Sequence, residues 1–314
     1  MNGCELRQHL RLYLELRNAI GFPVRDNRLL DNFVWFVSSR CDSNSIPVNV
    51  VSEWLDFQSC AATGKARRLS VVRPFLDYLS CCAPEIQRSL FGLFRSPSRS
   101  KPFVFERTEI EQMLSVAERF GPRDSFFRVT LHTLLGLLAC TGLRVSEALS
   151  LDRNDVMPIP NSQALYIRET KFRKTRIVPV HPSAAKTLAT YAGHRMLLGY
   201  DWNTTAFFVS DAGERLSYRA VATAFRDIVE ELKLKARDGS RQPTIHSLRH
   251  TFVMNRLLRW HSEKVDVHTR LAHLATYLGH VDFSCTYWYV SCLPSLLGAA
   301  ADAFTAPGSL EVQA

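Results

Sequence analysis

The sequence predicts a mainly α-helical protein with one small β-hairpin: a helical N-terminal domain, then a mixed α+β domain. Three observations point there. Apolar residues recur at helical spacing along most of the chain. One segment, "ALYIRETKFRKTRIVPV" (Ala164 to Val180), reads instead as two Ile-, Val- and Tyr-rich runs flanking a charged turn. A basic serine-proline stretch without periodicity, "RSPSRSKP" (Arg95 to Pro102), separates the two patterned regions. At 314 residues the chain exceeds an average domain, so two domains are expected.

The elements follow in order. Leu6, Leu10 and Leu14, with Arg7, Arg11 and Arg17 between them, make an amphipathic first helix that stops at Gly21-Phe22-Pro23. Apolar segments at Leu29 to Val37, Val50 to Phe57 and Leu69 to Leu79 complete a small bundle over residues 1–95, with a kink or an interruption of the last helix expected at Pro74. Residues 96–105 are the linker. Residues 106–300 form the larger domain, with helices at Ala184 to Leu198, Tyr218 to Leu232 and Ser247 to Trp260, and residues 301–314 are a polar tail.

Composition narrows the function. Apolar residues at 46% and charged residues at 22% describe a globular chain. The net charge of +9, carried mostly by arginine, favours a polyanionic partner, and arginine adds bidentate phosphate recognition. The longest apolar stretch, Val129 to Leu143, is broken by His132, Thr133 and Gly136 and is too short for a membrane span. Glu5, Arg7 and Arg11 stand where a signal sequence would be apolar, so a cytoplasmic, nucleoid-associated protein with no membrane partner is expected. Eight cysteines without C-x-x-C spacing read as reduced core thiols.

Basic side chains suited to DNA phosphates cluster in "GKARRLSVVRPFLDYL" (Lys65, Arg67, Arg68, Arg73), in the linker (Arg99, Lys101) and on the hairpin (Arg173, Lys174). Four further clusters could carry chemistry. In "TGLRVSEALSL", Arg144 follows a glycine turn and Glu147 lies three residues on, within reach on a helix. In "IHSLRHTF", His246, Arg249 and His250 share a helical face. Val267, Leu271, Leu274 and Leu278 form a stripe ending at Gly279, which places His280 just past a helix end, with Tyr289 nine residues further on. Lys171 and Lys174 sit at the hairpin turn. Zinc on His246 and His250 is disfavoured, because Ser247 replaces the glutamate of H-E-x-x-H and Arg249 would repel a cation. No metal and no cofactor are expected. Each cluster alone is more often a surface ion pair, a solvated lysine or a packing residue than a functional group.

Taken together and in this order, the clusters resemble the tyrosine recombinase, or phage integrase, family, over about Glu106 to Val290, with "ARRLSVVRPFLDYL" similar to the last helix of its SAM-like core-binding domain. The resemblance places the family's arginines at Arg144 and Arg249, its histidines at His246 and His280, its hairpin lysine at Lys171 and its nucleophile at Tyr289. Thr170 and Phe172 flank Lys171 where family members commonly carry glycines; "TRIVPV" fixes the register that selects Lys171 over Lys174. Tyr287 and Trp288 are expected to pack.

The chemistry makes similar demands. Transfer of a phosphodiester to a tyrosine builds charge on the non-bridging oxygens, which Arg144, Arg249 and His280 would hold; His246 would serve as base or phosphate donor and Lys171 as acid. The resemblance implies a site-specific recombinase working through a 3′-phosphotyrosyl link, on double-stranded DNA carrying recombination sites. It also implies a homotetramer, or a mixed tetramer with related recombinases, in which Leu293 to Phe304 packs on a neighbouring protomer. The alternatives are a relaxing enzyme like type IB topoisomerases, a DNA-binding accessory factor with an unused site and, more remotely, a zinc enzyme.

Overall fold

The computed structural model describes residues 3–24, 26–40, 46–57, 62–82, 101–156, 163–168, 175–199, 204–237, 240–280 and 284–292. The chain divides into two compact units, Met1–Arg99 and Ser100–Ala314.

The first unit holds helices α1 (Gly3–Ala19), α2 (Asn27–Ser38), α3 (Val48–Phe57) and α4 (Ala62–Cys82). Asp26 caps α2, accepting from the Leu29 amide at 3.3 Å. The leucine stripe of α1 turns Leu6, Leu10 and Tyr13 inward onto Phe33, Trp54 and Phe75, which are buried with them in one core. Trp54 keeps its indole N–H satisfied by donating to Asn32 Oδ1 at 2.9 Å. An interruption at Pro74 does not occur; α4 runs through it to Cys81 and Cys82, which are exposed and not in the core as expected. Pro74 forgoes one helical hydrogen bond, while Val72, Phe75, Leu76 and Leu79 around it are all buried, and that burial holds the helix together across the gap. α4 also starts before its apolar stripe, because Lys65, Ala66, Arg67 and Arg68 are good helix formers that need no core to be helical.

The second unit contains α5 (Arg107–Glu118), α6 (Phe127–Thr141), α7 (Val145–Leu149), a 3-10 turn (Arg153–Asp155), strands β1 (Ala164–Ile167) and β2 (Arg176–Pro179), and helices α8 (Pro182–Leu197), α9 (Tyr218–Glu231), α10 (Ile245–Ser262), α11 (Val267–Leu278) and α12 (Ser284–Ser291). α6 is apolar on nearly every side and is correspondingly central: Leu131, Leu134, Leu135, Leu137 and Leu138 are all buried. It packs against α5, α8 and α10. The strands pair antiparallel with Leu165 opposite Val178 and Ile167 opposite Arg176. Leu165, Ile167 and Val178 enter the main core, so the pleat also aims Arg176 inward, two residues from Val178. A smaller core joins Val253, Met254 and Leu257 of α10 to Leu271, Leu274 and Leu278 of α11 and to Tyr289 and Val290 of α12. No described helix is long and apolar enough to cross a membrane.

Candidate active site

Two helix ends build the site. α6 terminates at Gly142, whose left-handed φ of +63° reverses the chain into α7. α11 terminates in the same way at Gly279, with φ +69°. The last carbonyls of a helix have no partner within it, and they carry the negative end of its dipole. Three arginines occupy them. Arg249 on α10 donates through Nη1 to the Gly142 carbonyl and through Nη2 to the Leu278 carbonyl, both at 2.9 Å. Arg144 Nη2 donates to the Gly279 carbonyl at 3.2 Å. Arg176 Nε donates to the Tyr277 carbonyl at 2.8 Å.

Glu147 on α7 ties two of these guanidiniums together. It accepts from Arg144 Nη1 at 2.7 Å and from the Arg144 backbone amide at 3.0 Å. It also accepts from Arg176 Nη1 and Nη2 at 3.2 and 2.8 Å. Burial alone would raise the Glu147 pKa, but the hydrogen bonds and charge of Arg176, with those of Arg144, outweigh it and hold the carboxyl below its ordinary range. Arg249 is almost fully buried; burial first, then the nearby Arg144 charge, lowers its pKa to about 10, which leaves it charged at neutral pH. One carboxylate faces three guanidiniums, so the cluster carries excess positive charge.

The histidines surrounding this cluster are neutral. Burial, then the Arg249 and Arg144 charges, pushes His246 and His280 each to about 4. His280 is oriented by a 2.7 Å hydrogen bond between Nδ1 and Thr286 Oγ1 and by its own amide donating to the Ala275 carbonyl. Tyr289 lies 3% exposed, with its hydroxyl 2.7 Å from His250 Nδ1. Burial raises its pKa to about 12 against the opposing pull of Arg249. Tyr287, expected to pack, is instead 47% exposed: two residues from Tyr289, it is rotated well away from the buried side of α12.

The structure thus gathers Arg144, His246, Arg249, His280 and Tyr289 into one electrostatically coupled site. Lys171, Arg173 and Lys174 lie outside the described residues, as do Arg99 and the segment from Leu293 to Phe304. Of the other basic candidates, Arg67 and Lys101 are exposed, Arg68 and Arg73 are half-buried, and Lys65 is ion-paired with Asp56. Among the described residues no group of three or more histidine, cysteine or acidic side chains could hold a metal.

Three participants were missed as site residues. Glu147 was read only as a partner for Arg144, and His250 only as a neighbour on the helical face. Arg176 was not singled out, although strand alternation offered a signal: it occupies the inward register of Val178, where a charge requires a buried partner.

Residues 104–294 match the profile of the phage integrase family. The integrase/recombinase y4rB of Sinorhizobium fredii is 32% identical over 302 residues, covering 94% of this chain and 95% of that protein. A crystal structure of the XerH site-specific recombinase bound to its difH substrate shares the fold at a TM-score of 0.66 and 17% identity, covering 96% of this chain and 85% of that one. A lambda integrase tetramer bound to a Holliday junction does so at a TM-score of 0.62 and 17% identity, covering 88% and 77%. The chain belongs to the phage integrase family and is a tyrosine-type site-specific recombinase acting on DNA.

Proposed function

We propose that the protein cleaves and rejoins DNA strands at specific recombination sites, as an integrase or transposase does, through a covalent 3′-phosphotyrosyl link on Tyr289. The observation that carries this reading is the excess positive charge of Arg144, Arg176 and Arg249 beside a buried tyrosine hydroxyl. A phosphodiester brought there neutralises guanidiniums that the protein itself leaves undercompensated. Charge building on its non-bridging oxygens in the transition state is met by donors already fixed in place by helix carbonyls.

The bonds balance simply. Tyr289 Oη gives its proton to a neighbouring imidazole as it attacks phosphorus, the bond from phosphorus to the 5′ oxygen breaks, and that oxygen leaves as a hydroxyl after taking a proton from Lys171. Arg144, Arg249 and His280 hold the non-bridging oxygens, with His246 beside them. The link conserves the bond energy, so the reverse attack by a 5′ hydroxyl reseals a strand without ATP. Two duplexes held by a tetramer, whether of this chain or with related recombinases, would exchange strands; the lambda integrase tetramer on a Holliday junction supports that geometry by likeness of fold. Lys65, Arg67, Arg68, Arg73, Arg99, Lys101, Arg173 and Lys174 would contact phosphates, and the protein would act at the nucleoid.

The test is covalent trapping. Wild-type protein and Tyr289→Phe are incubated without metal with nicked duplexes tiled across the DNA flanking the gene. An SDS-resistant adduct formed by wild type and lost in the variant is the expected result; an adduct that survives Tyr289→Phe refutes the assignment.

A further inference from the structure

The reaction needs a base for the Tyr289 proton, and the sequence offered His246. In the structure His246 makes no hydrogen bond to that hydroxyl; His250, one turn further along α10, does, at 2.7 Å through Nδ1. The two imidazole rings lie edge to face with centroids 4.7 Å apart, and Trp288 closes the site at 6.0 Å from the His250 ring. We propose, resting on the phosphotyrosyl reading above, that His250 is a further catalytic residue: its Nδ1 holds the Tyr289 hydroxyl and takes the proton as Oη attacks phosphorus.

The surroundings give this contact its direction. His250 faces His246 and Arg249 on its own helix, Arg241 in the segment before it, His280 beyond α11, and Tyr289 and Trp288 on α12. Burial first, then the electrostatic influence of His246, Arg249, Arg241 and His280, pushes its pKa to about 3. The free protein therefore holds a neutral imidazole against a protonated tyrosine, and the hydroxyl donates to Nδ1, which leaves the ring hydrogen on Nε2. Such a pair is idle while the arginines stand undercompensated. A phosphodiester seated on Arg144 and Arg249 adds negative charge next to the ring and raises its proton affinity at the moment a base is needed. In the step itself the Oη–H bond breaks and the proton moves to Nδ1, the phosphorus–Oη bond forms, and the bond from phosphorus to the 5′ oxygen breaks. On rejoining, the imidazolium returns the proton to Oη. No further reactant is required.

Two measurements test the proposal, one without DNA. In the nitrogen NMR spectrum of the free protein, His250 Nδ1 is expected to shift towards an unbonded acceptor in Tyr289→Phe relative to wild type; an unchanged Nδ1 resonance overturns the contact. In the trapping assay, His250→Ala and His250→Asn are both expected to form adduct at least about a hundredfold more slowly than wild type. Asparagine can still hold the hydroxyl but cannot take its proton, so its rate should climb by about tenfold per pH unit between about pH 7 and 9, as tyrosine must ionise beforehand, while wild type stays flat. A His250→Asn variant with wild-type rate and a flat profile reduces the histidine to a tether and overturns the proposal. Placing sulfur at the bridging 5′ position, which leaves without an acid, should rescue Lys171→Ala and not His250→Asn; rescue of His250→Asn would put the histidine on the leaving group instead. If Tyr289→Phe still forms adduct, the phosphotyrosyl assignment fails and the catalytic role of His250 falls with it. If adduct formation needs Tyr289 but not His250, only the present inference falls.

Discussion

Replacing Glu147 by glutamine tests whether one carboxylate holds the arginines in place. The side chain is 5% exposed and accepts four hydrogen bonds, two from Arg144 and two from Arg176. A glutamine of the same shape keeps one accepting oxygen; its amide nitrogen is a donor pointed at donors. Two accepted bonds are lost and the countercharge disappears. Hydrogen bonds to charged groups contribute about 1.5–3 kcal/mol each, and breaking one side of a buried ion pair costs about 3–5 kcal/mol. Arg144 keeps access to water, with its side chain 26% exposed against 11% for Arg176, so the loss falls mainly on Arg176 and about 3 kcal/mol is expected. Amide exchange of Leu134, Leu135 and Leu138 in the buried α6 reports the opening free energy of this unit without interference from the other. Because the folded-state pKa of Glu147 is depressed, its contribution is fully present at pH 7 and at pH 5. It is lost only as the pH falls through the folded pKa, below the ordinary carboxylate value of 4.5. A loss under about 1 kcal/mol at pH 7 would refute the account of Glu147 as the tie between the two guanidiniums.

Arg249→Lys cannot span the Gly142 and Leu278 carbonyls and also reach a phosphate; adduct formation is expected to fall about a hundred- to a thousandfold, measured in single-turnover trapping, with little change in α6 exchange. Gly142→Ala combines a left-handed φ with a Cβ only 2.5 Å from Phe252, so it should destabilise by roughly 2–4 kcal/mol in a thermal melt, whereas Gly21→Ala, with nothing within 4 Å, should cost only about 1 kcal/mol. His246, His250 and His280 have folded pKa values of about 4, 3 and 4, below the unfolded value near 6.5, so unfolding takes up protons between those limits. Stability should therefore fall as the pH drops from about 6.5 towards 4, and a His246→Gln, His250→Gln, His280→Gln triple variant should flatten that slope in urea titrations.

The helices were legible because their stripes are regular: Leu6 and Leu10 enter the α1 core beside Tyr13, with Leu14 packed half-buried against it, and the run ending at Gly279 is α11. Pro74 does not interrupt α4 because the loss of one hydrogen bond is outweighed by burial on both sides of it. In the site, residues on regular elements with a turn glycine nearby could be read, as with Arg144 after Gly142. Strand alternation turned Arg176 inward without naming its partner, and His250 carried no such signal; the groups they contact, Glu147 and Tyr289, lie 29 and 39 residues away. Tyr287 and Tyr289 differ only in which way a short helix turns, and α12 is too short for its own periodicity to settle that.

Anchoring the arginines on main-chain oxygens has a consequence for how the protein can change over generations. A carbonyl is supplied by any residue type, so most positions along α6 and α11 can exchange side chains without removing an acceptor from the cradle. The exceptions are the two terminal glycines, where a Cβ would strike Phe252 or Arg176. A lineage built this way can drift widely in sequence while the frame that holds its three arginines endures.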